Sequence, residues 1–137
     1  MCKRHLAIGL AFLGFISTAQ TQPVASPAPL PEELKLWLYP TSMNGRRGHR
    51  LDISRMVHSG SQVTASVTMH GLGLDRCRLQ SQPAEGTFDG SKLLLKIKVA
   101  PGDNLTCPSS YELQRGPDGQ FEGSYENAGK TGLVRRQ

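Results

Sequence analysis

Beyond residue 31, apolar side chains recur at every second position, in short runs divided by glycine, proline and serine. A period of two marks a strand with one buried face, whereas an amphipathic helix repeats about every 3.6 residues. The cleanest run is Gln62–His70, with Val63, Ala65, Val67 and Met69 on one face and Thr64, Ser66, Thr68 and His70 on the other. In Lys92–Val99, Leu93, Leu95, Ile97 and Val99 oppose Lys92, Lys96 and Lys98, with Leu94 as an apolar residue on the polar face. Leu34–Tyr39 alternates Leu34, Leu36 and Leu38 with Lys35. Arg50–Val57 places Leu51, Ile53 and Val57 on one face, interrupted by Arg55, and Asp52, Ser54 and Met56 on the other. Shorter strands are predicted at Arg76–Gln80, Gly86–Asp89, Tyr111–Arg115, Gln120–Tyr125 and Gly132–Arg136.

Turn chemistry separates these runs: Ser59-Gly60-Ser61, Asp89-Gly90, Pro117-Asp118-Gly119 and Ala128-Gly129-Lys130. Sequential short strands with tight turns predict an all-β antiparallel meander of about eight strands. Such a sheet must bury one face and deal with its open edges, so it closes as a small barrel or folds over as a β-sandwich. The barrel is the preferred reading.

The first residues are of another kind. Cys2-Lys3-Arg4-His5 is basic, Leu6–Ile16 is an uncharged apolar run, and Ser17-Thr18-Ala19 ends in small residues. These are the three regions of a secretory signal peptide, residues 1–19, cleaved after Ala19. As a helix the apolar run would span only about 16 Å of a roughly 30 Å hydrocarbon core, so no transmembrane anchor is expected. Residues 20–31 hold four prolines without periodicity and read as a disordered leader. A single β-domain is expected over 32–137.

Removal of the signal changes the charge. Lys+Arg falls from 16 to 14 against 11 Asp+Glu, and the formal net charge from +5 to +3. That balance gives no case for nucleic acid, and the basic residues lack the interleaved aromatics of a single-strand binder. Cys2 is lost too. Cys77 and Cys107 remain, an even pair in an exported chain, and are expected to form a disulfide rather than a metal or redox pair. Closing a loop of about 30 residues is worth roughly 3.5–4 kcal/mol in the chain-entropy model.

No nucleophile elbow, metal-binding helix or phosphate loop is present, and no cofactor or metal is expected. His49 and His70 are candidates to approach one another across the first hairpin. The most unusual stretch is Asn44-Gly45-Arg46-Arg47-Gly48-His49-Arg50. Arginine forks between glycines suit an anion, and Arg46, Arg47, His49 and Arg50 are the candidate binding residues. Asn104-Leu105-Thr106 fits a glycosylation acceptor.

Gly119-Gln120-Phe121-Glu122-Gly123-Ser124-Tyr125 resembles the G-x-F-x-G-x-Y hairpin of avidin-like barrels, over seven residues near the C-terminus. The resemblance implies a small barrel. It does not extend to biotin, because Trp37 is the one tryptophan. The expectation is a non-enzymatic exported β-domain, periplasmic or extracellular, that binds a ligand or partner in the cell envelope: an anionic component or an acidic protein surface. The alternatives are an inhibitor or assembly factor of a secreted enzyme or envelope complex, and a small hydrolase with an unfamiliar site.

Overall fold

The computed structural model describes residues 14, 19–23, 26–40, 48–70, 79–98, 107–127 and 129–137. Eight strands follow in order: β1 Leu34–Pro40, β2 His49–Ser59, β3 Gln62–His70, β4 Gln82–Phe88, β5 Lys92–Ile97, β6 Ser110–Arg115, β7 Phe121–Asn127 and β8 Lys130–Arg136. Each pairs antiparallel with its neighbour in sequence, and β1 pairs with β8, so the sheet closes into a barrel without an edge. The preferred barrel is therefore the fold, and the sandwich is not.

Alternation dictates which residues fill it. Leu36 and Leu38, Val63 and Val67, Leu93 and Leu95, Tyr111 and Leu113 all point inward and are at most 2% exposed. An eight-stranded barrel has an interior just wide enough for such side chains. Every fully buried residue among those described is apolar or aromatic apart from Cys107, and none is charged. Trp37, in register with Arg50, lies between inward Leu36 and Leu38 and so belongs to the outer face.

Two strands depart from the sequence pattern. In β2 the pairing with β3 slips between Ser54 and Val57, so that Arg55 and Met56 together oppose Ala65. This is a β-bulge, and Arg55 adopts φ 52°, the left-handed region. The extra residue reverses the faces beyond it. Met56 is buried at 8% exposure and Val57 is 62% exposed, the opposite of what unbroken alternation predicts. The other departure is β4. It starts at Gln82 and contains Pro83, where the sequence predicts Gly86–Asp89. Pro83 sits near the start of the strand, where its missing N–H matters least, and its carbonyl accepts from the Lys98 amide at 2.8 Å. Of the strand expected at Arg76–Gln80, Leu79 and Gln80 are not in a strand and the rest lies outside the described residues.

The turns follow their chemistry. Gly60 and Gly119 supply the positive φ (63° and 80°) that their hairpins need. Asp89 accepts through Oδ1 from the Ser91 and Lys92 amides at 2.9 and 2.7 Å, which holds its carboxyl below the usual range. On β8, Gly132 faces Tyr125 of β7 directly, and the tyrosine ring occupies the space a Cβ would take. Cys107 is buried just before β6, whereas Cys77 lies outside the described residues. No helix among the described residues is long and apolar enough to cross a membrane.

Candidate functional site

An up-and-down barrel sorts its connections onto two ends. The β2–β3, β4–β5 and β6–β7 links are residues 60–61, 89–91 and 116–120, all short and all at one end. The β1–β2, β3–β4 and β5–β6 links, 41–48, 71–81 and 98–109, leave from the other end. Loops on a rigid frame are where recognition residues concentrate. Of the candidate binding residues, His49 and Arg50 belong to this long-loop end. Arg46 and Arg47 lie outside the described residues; His49 and Arg50 open β2.

At its rim three side chains converge. Asp52 accepts from Arg50 through two bonds, Nε to Oδ1 at 3.2 Å and the second guanidinium nitrogen to Oδ2 at 2.9 Å. Asp52 Oδ2 also lies 2.8 Å from His70 Nε2. Partial burial of Asp52 opposes its ionisation, but the hydrogen bonds and charges of Arg50 and His70 outweigh it and hold the carboxyl below the usual range. The same carboxylate raises Arg50. These groups share the outer face, where Arg50 pairs across the ladder with His70 and Asp52 with Thr68. His49 lies in register with inward-facing Leu38, on the other face of β2. The expected approach of His49 to His70 therefore gives way to Arg50, Asp52 and His70.

The bulge explains that trio. A regular two-residue hairpin pairs Ser59 with Gln62 and His58 with Val63, and its continuation would put His70 opposite Leu51. The residue inserted at the bulge shifts the register by one and puts His70 opposite Arg50 instead.

The lysine face of β5 is balanced by acids. Lys92 pairs with Glu112 at 2.6 Å, Lys98 with Glu85, and Lys96 is in register with Glu85. It is an exposed, charge-paired surface, of the kind that adds little to stability. Among the described residues no group of three or more His, Cys, Asp or Glu side chains is arranged to hold a metal ion.

The short-turn end carries an arrangement that sequence reasoning missed. The Arg115 guanidinium lies 4.9 Å from the Phe88 ring centroid and 5.0 Å from that of Phe121. It donates to the Ala28 carbonyl and, at 2.8 Å, to the Pro29 carbonyl. His58 meets Phe88 edge to face at 5.4 Å. Leu30 packs against the core, and the Glu32 carbonyl accepts from the Met56 amide of the bulge at 3.2 Å. Residues 27–32 thus cross the barrel mouth from the β4–β5 turn to β2. Leu30, a large apolar residue between Pro29 and Pro31, was the available signal. Beside this end, a surface hollow of about 530 Å³ is lined by Gln114, Gln120 and Glu122 with the Arg136–Asp118 ion pair.

No protein-family model, curated protein or solved structure matches this chain.

Proposed function

We propose that this chain is an exported binding domain whose long-loop end contacts an anionic envelope component or an acidic protein surface. The carrying observation is the sorting of the connections: 41–48, 71–81 and 98–109 all leave from one end of a barrel whose interior is occupied by its own side chains. That packing favours a partner on the loops over a small ligand inside the strands. It also favours the class that includes inhibitors and assembly factors, which act through loops on a rigid frame.

Charge supports the choice of partner. Arg46, Arg47, His49 and Arg50 fall within one connection and its first two strand residues. Arg50 is engaged by Asp52, which leaves Arg46 and Arg47 as the proposed contacts. Export through a cleaved signal at residues 1–19, and a Cys77–Cys107 bridge tying β3–β4 to β5–β6 at this end, belong to the same reading. Supporting the bridge, Cys107 is buried at this end, 4% exposed, just before β6.

The test uses poly-L-glutamate as the acidic probe. Its binding to the mature chain should weaken several-fold between low and physiological salt, because the attraction is screened. Replacing Arg46 and Arg47 by Ser should weaken binding with little change in Tm, since exposed charges contribute little to stability. Equal binding by variant and parent at low salt would overturn the reading.

A further inference from the structure

We propose that the short-turn end of the barrel is a peptide-binding site for an extended proline-rich segment, occupied in this chain by its own residues 27–30. It lies at the opposite end from the surface considered above and does not depend on it.

Arg115 is the recognition group. Its backbone is fixed by the bond from its amide to the Ser91 carbonyl at 2.7 Å, and its guanidinium is held against Phe88 and Phe121, themselves 3% and 1% exposed. A guanidinium is a planar fork of donors with no acceptor, so a rigid one selects carbonyl oxygens. Proline-rich chain matches that demand. It lacks many of its own N–H donors, is already extended, and displays solvated carbonyls at little entropic cost. The fork takes the consecutive carbonyls of Ala28 and Pro29, and Leu30 supplies the apolar anchor against the core. Pro27 flanks Gly90, where an added Cβ would come within 3.2 Å of its ring. The elements are those of general proline-rich recognition: aromatic support, carbonyl donors and one apolar pocket.

The fit of the resident segment is incomplete. Arg115 Nε is buried and has no hydrogen-bond partner. A buried donor without an acceptor is costly, so a segment offering one more carbonyl would bind better than residues 27–30 do. The resident segment is then a tethered competitor, acting at the roughly millimolar effective concentration of a short flexible link.

Two measurements on the mature chain test this. In ¹⁵N relaxation, Ala28 and Leu30 of the parent should be as rigid as strand residues, and Arg115→Gln should release them to the mobility of Thr21 and Gln22. In fluorescence anisotropy, a labelled peptide of residues 26–33 should bind Leu30→Ser at least ten-fold more tightly than the parent, whose own segment competes. Adding Arg115→Gln to Leu30→Ser should abolish that binding. The proposal is overturned if Ala28 and Leu30 of the parent are as mobile as Thr21. It is equally overturned if a folded Leu30→Ser chain fails to bind the peptide, or if loss of Arg115 leaves binding unchanged. Should Leu30→Ser not fold, relaxation of the parent and of Arg115→Gln decides alone.

Discussion

Replacing Tyr111 by Phe should stabilise this protein. Tyr111 is 2% exposed, and its hydroxyl is buried without a hydrogen-bond partner. In the unfolded chain that hydroxyl is solvated by water, so folding strips hydration that nothing in the barrel replaces. The cost of such a group is about 1–3 kcal/mol. Removing it leaves a void of about 10 Å³, a penalty of only about 0.2 kcal/mol at the usual cavity slope. The net expectation is a gain of roughly 1–2 kcal/mol, and each kcal/mol raises Tm by about 4–8 °C in a domain of this size. The pH dependence gives a second reading. Burial, reinforced by nearby Tyr125, raises the Tyr111 phenol above its ordinary value of 10.0. The folded state therefore holds that proton more tightly than the unfolded state does. The associated stability is complete below pH 10 and is lost as pH rises above it. Phe has no proton to lose, so the advantage of the variant should widen in alkali. Urea unfolding of parent and variant at pH 7 and at pH 10.5 measures both effects. A Tyr111→Phe chain less stable than the parent at pH 7 would refute the reasoning, because it would mean that the hydroxyl makes a favourable bond.

Arg55→Gly should raise stability by a few tenths to about 1 kcal/mol, since Arg55 sits at φ 52° where glycine has no Cβ penalty; a lower urea midpoint would count against the bulge. Asp52→Asn should destabilise the protein at neutral pH and shrink the loss of stability on acidification. The depressed Asp52 carboxyl contributes stability that is present above its unfolded value of 3.8 and lost as pH falls through the folded one, so parent and variant should converge in acid. Cys77→Ser should cost about 2–5 kcal/mol, and thiol titration of the native mature chain should find no free thiol; two free thiols would remove the bridge.

The barrel was legible because most of its strands keep a period of two, with exceptions such as Leu94, between turn residues with defined chemistry. Gln62–His70 is the same nine residues in pattern and in structure. β2 misled because its bulge is built on Arg55, not on a glycine that would have marked it. The error propagated: without the bulge, neither the outward turn of Val57 nor the meeting of His70 with Arg50 and Asp52 follows from counting. β4 was obscured by Pro83 and by the weak strand formers Ala84, Glu85 and Gly86. Arg115, Phe88 and Phe121 come from three strands and meet only on closure, as does Leu30, so no local window connects them. The arginine cluster at 46–50 was visible as composition, and Asp52 lies two residues from Arg50 on the same strand face, but the joining of His70 to that pair depends on the ladder.

The central claim is that binding occurs at the long-loop end of a filled barrel. Amide chemical shifts of the ¹⁵N-labelled mature chain, followed during titration with poly-L-glutamate, test it most directly. The account predicts salt-reversible changes at Gly48, His49, Arg50, His70 and Cys107, with Gly60, Gly90 and Gly119 unmoved. Changes centred on Gly60, Gly90 and Gly119, with the long-loop end silent, would contradict it.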